Sequence, residues 1–180
     1  MLMMITQSNA LTLPAIFSDH MVLQQKCAAP FWGLAAAGEQ VTITADWGND
    51  GRTQADPQGR WQLRLPTPQA GGPYRITVRA GREEKVFSDV LIGEVWLCSG
   101  QSNMEMPLMG WPPHDLIEGS EQAIQNAHLP MIRLFTVAHE VSAVPLSDCS
   151  GAWSRCTPET AASFSATAFF FGRTLNEKLN

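Results

Sequence analysis

Three segments between residues 41 and 79 alternate apolar and polar side chains, and this restricts the first half of the chain to half-buried strands. They are Val41-Thr42-Ile43-Thr44-Ala45, Trp61-Gln62-Leu63-Arg64-Leu65 and Tyr74-Arg75-Ile76-Thr77-Val78-Arg79. A side-chain period of two places Val, Ile and Leu on one face and Thr, Gln and Arg on the other, so each strand covers a core with one side only. Gly48-Asn49-Asp50-Gly51, Asp56-Pro57-Gln58-Gly59 and Ala70-Gly71-Gly72-Pro73 supply turns between them. Such short, punctuated strands predict a small antiparallel β-sandwich over residues 10–90. Residues 86–90 are expected to form its last strand or a bridge onward.

Near residue 90 the pattern changes. Val95-Trp96-Leu97-Cys98 is continuously apolar, as in a strand buried on both faces of a parallel sheet. It gives way to Ser99-Gly100-Gln101-Ser102-Asn103. Ligands of open α/β sheets bind beyond the carboxyl ends of the strands. A serine there, beside a glycine that permits a tight turn, is placed to act as a nucleophile. Ser102 is the candidate, with Gly100, Gln101 and Asn103 shaping its loop and nearby backbone N–H groups available to an oxyanion. A plain turn, in which Ser102 caps the next segment, fits the spacing as well.

A second apolar run, Met131-Ile132-Arg133-Leu134-Phe135, predicts another strand of the same sheet. Between the two runs, prolines 107, 112 and 113 predict irregular chain, followed by a short helix over residues 116–126. Phe164, Ala168, Phe171, Leu175 and Leu179 recur at helical spacing, with Thr157-Pro158 or Ser163 as the start signal. A terminal helix with an apolar stripe needs a sheet to cover, and two strands make a poor one. Residues 91–180 are therefore expected to be the beginning of a larger α/β domain.

Composition narrows the function classes. Of 180 residues, 44% are apolar and only 16% charged, with a net charge of −5 and no basic run. Nucleic acid and anionic membrane are not expected partners. No stretch reaches 18 consecutive apolar residues, and Met1-Leu2-Met3-Met4-Ile5 lacks the basic n-region of a signal peptide. Cys27, Cys98, Cys149 and Cys156 include no C-x-x-C pair, so zinc is not expected. Cys98 reads as a buried thiol, and Cys149 with Cys156 as a candidate disulfide in an oxidising compartment.

A serine nucleophile requires a base, usually an oriented histidine. The chain offers His20, His114, His128 and His139, none with an aspartate three residues before it. His20 reads as a turn residue; His114, after two prolines, is a candidate for a pocket rim. His128 and His139 read as surface residues, and Glu105 is a poor base. Trp96, Trp111 and Trp153, and in the first half Trp32, Trp47 and Trp61, are either sugar-stacking platforms or core.

Several blocks together resemble the sialate O-acetylesterases, a branch of the SGNH (GDSL-like) hydrolase superfamily. They include Phe17-Ser18-Asp19-His20-Met21-Val22-Leu23-Gln24-Gln25, Pro30-Phe31-Trp32-Gly33, Gly59-Arg60-Trp61 and Ala70-Gly71-Gly72-Pro73-Tyr74. The longest runs from Asp89 through Gly93-Glu94-Val95-Trp96-Leu97-Cys98-Ser99-Gly100-Gln101-Ser102-Asn103-Met104-Glu105 to Pro107, and Phe164-Ser165-Ala166 with Phe170-Phe171-Gly172-Arg173 closes the series. The resemblance implies a β-sandwich followed by the start of an SGNH-like, flavodoxin-like parallel-sheet domain. It further implies O-acetyl removal from sialic acid or related sugars, with Ser102 as nucleophile and neither metal nor organic cofactor. The superfamily's further Gly and Asn oxyanion donors, and its Asp-x-x-His base block, find no match here. They are expected beyond residue 180 or on a second chain, and the 180-residue polypeptide is expected to be weakly active or inactive. By resemblance the protein is periplasmic or secreted. The rivals are an acetylxylan-type esterase and a non-catalytic carbohydrate-binding module.

Overall fold

The computed structural model describes residues 10–179, so the apolar start at residues 1–5 lies outside it. The described residues divide into two compact units, residues 10–95 with 139–150, and residues 96–138 with 151–179.

In the first unit the alternating segments become strands. In chain order these are β1 (Val22–Gln24), β2 (Ala28–Leu34), β3 (Gln40–Ala45), β4 (Asp50–Gln54), β5 (Arg60–Pro66), β6 (Gly71–Ala80) and β7 (Glu83–Gly93). Five form a mixed sheet in the order β1-β7-β6-β3-β4, and β2 pairs with β5 in a two-stranded antiparallel sheet. Only β1 and β7 run parallel, with Val22 opposite Leu91. β7, which contains residues 86–90 and is the last strand of this unit in chain order, lies inside the sheet, flanked by β1 and β6.

Burial follows the period of two. Along β5, Trp61, Leu63 and Leu65 point inward while Arg60, Gln62 and Arg64 face water. Phe31, Val41, Ile43, Leu65, Ile76, Val78 and Val90 are fully enclosed. Each such side chain stabilises the fold by about 1.5–3 kcal/mol relative to exposure. Thr12 and Leu34 exchange both backbone hydrogen bonds at 2.9 Å beside β2. That approach needs Gly33, where a Cβ would lie 2.1 Å from the Thr12 carbonyl oxygen.

The second unit holds α1 (Ser102–Glu105), α2 (Ser120–Gln125), β8 (Leu129–Phe135), β9 (Trp153–Cys156), α3 (Pro158–Ala162) and α4 (Ala166–Leu179). Its core comprises Leu108, Leu134, Cys156, Phe169 and the alanines 123, 127, 161 and 166. Of the two proposed helix starts, Thr157-Pro158 is used, for the short α3, while Ser163 is not a start but the end of that helix. Thr157 caps α3 in a reciprocal box with Thr160, with Pro158 in the first turn. Ser163 closes α3, and the Ser165 hydroxyl then accepts the Ala168 N–H in the first turn of α4. The buried side of α4 is Ala166, Ala168 and Phe169, while Phe171 and Leu179 of the expected stripe are exposed.

Residues 95–98 depart from expectation. They form no strand, and Val95, Trp96 and Leu97 are 42%, 59% and 90% exposed. Continuous apolarity suits a strand only where neighbours supply a ladder, and no described strand flanks this run. Nor does the second run join it in a parallel sheet, because β8 pairs antiparallel with β9. Cys98 is consequently exposed rather than buried, and Cys156 is the buried thiol. Cys149 and Cys156 are both free, so the candidate disulfide is absent. No described helix is long and apolar enough to cross a membrane.

Candidate active site

Ser102 opens α1, a single turn whose start is built by Gln101. The Gln101 carbonyl accepts the N–H groups of Met104 (2.8 Å) and Glu105 (3.1 Å), and the Ser102 carbonyl accepts that of Met106 (3.0 Å). Gly100 lets Met104 pack close at the entry: a Cβ there would lie 2.6 Å from Met104 Cγ, and the methionine side chain would have to shift. The Thr167 hydroxyl, from the first turn of α4, donates to the Asn103 carbonyl at 2.9 Å. Beyond the turn, Leu108 N–H donates to Phe164 O at 2.8 Å, and Ala166 N–H to Met106 O at 2.9 Å. Backbone bonds thus pin the serine's turn to the start of α4.

Ser102, Gln101, Asn103 and Gly100 are all exposed. Among the described residues the Ser102 hydroxyl makes no hydrogen bond, and no side chain caps α1. The Ser102 and Asn103 amides stand in the first turn, where backbone donors lack helical acceptors. A hydroxyl open to solvent beside two such donors can attack a carbonyl carbon and offer hydrogen bonds to the resulting oxyanion. It still needs a base. Within this unit, His114 and His128 are exposed and neither bonds Ser102. A cleft of about 170 Å³, lined by Leu134, Thr136, Ser154, Thr160, Ser163 and Phe164, does not include the Ser102 turn.

Two arrangements escaped the sequence reading, both in the first unit. His20 is more than a turn residue: its Nδ1 lies 2.6 Å from Asp89 Oδ2. The Asp19 carboxylate accepts the Ser88 N–H at 2.7 Å, and His20 N–H donates to Ser88 O at 3.1 Å. The second is a clasp at the exit of β7. Glu94 accepts from Gln24 Nε2 (3.1 Å) and Gln25 Nε2 (2.7 Å), and those bonds hold its carboxyl below the usual range. Gln24 Oε1 in turn accepts the Val95 N–H at 3.0 Å. Residue spacing carries no sign of either, since the partners lie about 70 positions apart.

The tryptophans divide. Trp61 is buried, Trp47 is half-buried against Tyr74, and Trp32 remains 36% exposed. Trp96 and Trp111 are exposed, Trp96 meeting Phe171 edge-on at 5.3 Å. Among the described residues, no cluster of three or more His, Cys, Asp or Glu side chains has the arrangement to hold a metal ion.

No family model matches the chain. Individual proteins do. The sialate O-acetylesterase of Rattus norvegicus is 30% identical over 179 residues, covering 89% of this chain and 32% of the relative. That of Homo sapiens is 28% identical over 183 residues, covering 90% and 34%. Among solved structures, a carbohydrate acetylesterase from Xanthomonas citri superposes with a TM-score of 0.87 at 34% identity, covering 94% of this chain and 38% of that one. The chain thus spans about a third of the length of the relatives it matches. By sequence and by fold alike, it is a homologue of the sialate and carbohydrate O-acetylesterases along nearly its whole length.

Proposed function

We propose that this chain is part of a carbohydrate O-acetylesterase in which Ser102 is the nucleophile. Ser102 Oγ attacks the acetyl carbonyl carbon, its proton passing to a base, and a bond forms between Oγ and that carbon. The tetrahedral oxyanion takes a hydrogen bond from the Ser102 N–H, with Gly100, Gln101 and Asn103 holding the turn in shape. The bond between the acetyl carbon and the sugar oxygen then breaks, and the sugar oxygen leaves with the base's proton. Water hydrolyses the acetyl-enzyme to acetate and restores the serine.

The observation that carries this reading is the Ser102 hydroxyl itself, exposed and unbonded at the start of a turn in which Met104 packs close to Gly100. The names of the homologues support the acetyl-ester chemistry and a sugar as the alcohol. In this reading residues 10–90 are a β-sandwich, and residues 91–180 are the first part of an SGNH-type α/β domain. The base, its orienting carboxylate and the remaining oxyanion donors come from outside these residues, on the rest of the hydrolase domain or a second chain.

The test is acetate release by the full gene product carrying this chain, assayed on O-acetylated sialic acid and on acetylated xylan. Ser102→Ala is expected to lower kcat by about 10³-fold or more with substrate binding retained. The 180-residue polypeptide alone is expected to show little turnover. Unchanged turnover in the Ser102→Ala enzyme would overturn the assignment, and the preferred ester identifies the sugar.

A further inference from the structure

We propose that the outward face of the β2–β5 ribbon in the first unit binds carboxylate-bearing sugars, separately from the Ser102 turn. The antiparallel register sets Trp32 directly opposite Gln62, Pro30 opposite Arg64 and Leu34 opposite Arg60. All six are solvent-facing members of an alternating pattern, whose inward members include Phe31, Trp61, Leu63 and Leu65. The indole therefore has Pro30 and Leu34 beside it on its own strand, a carboxamide across from it and a guanidinium at each diagonal. Direct and diagonal cross-strand neighbours both lie within reach of side chains this long.

The indole is held in place. Phe17 meets Trp32 edge-on at 4.8 Å and stacks on the buried Phe31 at 5.0 Å. Among the described residues no guanidinium lies over the Trp32 ring, whereas Arg173 does cover Phe169 and Phe170. The polar groups around it are only partly engaged. Arg64 donates through Nη1 to Ala28 O at 3.1 Å, and the Gln62 amide makes no hydrogen bond among the described residues. Arg60 is tied to Asp56 at 2.9 Å and to Gln58 at 3.3 Å.

A partly exposed indole, held by Phe17 and set beside planar donors, matches a pyranose, whose C–H face is apolar and whose rim carries hydroxyls. The charge balance selects among sugars. The chain as a whole carries −5, yet this face bears two arginines, and Asp56 is paired with one of them, Arg60. Arg64 is thus the cation left to take a carboxylate, in the planar fork geometry a guanidinium offers. Sialic and uronic acids share that chemistry.

The experiment titrates the 180-residue chain with sialyllactose, a glucuronate-bearing xylo-oligosaccharide and neutral lactose, following tryptophan indole and glutamine amide resonances by NMR. The acidic sugars are expected to move the Trp32 and Gln62 signals and to bind about tenfold tighter than lactose, a preference that weakens with added salt. Whichever acidic probe binds tighter identifies the source. Trp32→Ala is expected to weaken binding about tenfold, Trp32→Phe to retain most of it, and Arg64→Gln to erase the preference for acid while the fold persists. Trp96→Ala, outside this face, is expected to change nothing. Silence of the Trp32 and Gln62 signals at millimolar sugar, equal affinity for lactose, or undiminished binding by Trp32→Ala would overturn the proposal. Binding here needs no turnover, so its failure leaves the esterase reading standing, and failure of the esterase reading leaves this one.

Discussion

His20 and Asp89 are joined by a 2.6 Å contact between Nδ1 and Oδ2 while both occupy the left-handed backbone region, at φ 68° and 56°. That region costs a residue with a Cβ about 1–2 kcal/mol, so side-chain bonding must offset backbone strain at two places at once. His20→Gly removes the pair and the local strain together; His20→Ala removes the pair and keeps the strain. Urea unfolding is expected to show the alanine variant less stable than the glycine variant by about 1 kcal/mol. Equal stabilities would mean that the backbone relaxes when the imidazole is lost.

The thiols should separate by reactivity. Cys98 is exposed, whereas Cys156 is enclosed in the second unit's core and its pKa is pushed up to about 11 by burial. A thiol reagent at mildly alkaline pH is expected to modify Cys98 quickly and Cys156 only after unfolding. The sign of the pH effect follows. A thiol ionising later in the folded state contributes stability that is complete below about 9 and lost as pH climbs towards about 11. Cys156→Ala is expected to flatten that alkaline decline.

The caps make a local test. Thr157 accepts the Thr160 N–H, and Thr160 Oγ1 accepts the Thr157 N–H. Thr157→Ala is expected to destabilise the chain by about 1 kcal/mol, seen as a lower urea midpoint at unchanged m. The same cap holds the Glu159 carboxyl below its usual range, chiefly through the Thr157 hydroxyl. That contribution is present at neutral pH and lost as pH falls through the folded-state value, so the variant should show a weaker acid dependence.

Gly100 tests the turn rather than the fold. Its alanine variant drives a Cβ against Met104, in a segment exposed to solvent. In the full gene product, kcat is expected to fall at least tenfold while the unfolding midpoint changes little. A matching loss of stability and activity would assign Gly100 to folding instead.

The sequence was most legible where burial is decided locally. Alternation located β3, β5 and β6, because one-sided burial is written directly into a period of two. Trp153-Ser154-Arg155-Cys156 carries the same alternation over four residues, and β9 is there although it was not anticipated. Residues 95–98 were misread for a different reason. Apolarity states what a segment requires, not whether a neighbour is present, and a strand's ladder is a non-local fact. The position of Ser102 after an apolar run could be read. The Gln24–Glu94 clasp and the His20–Asp89 pair could not, because the residues that meet lie far apart in sequence.

The most direct measurement is to quench the full gene product during turnover of an O-acetylated sugar and locate the acetyl group by peptide mass spectrometry. An acetyl group on the peptide containing Ser102, absent from the Ser102→Ala enzyme, is the predicted result. Acetylation at another residue, or continued turnover without Ser102, would contradict the account.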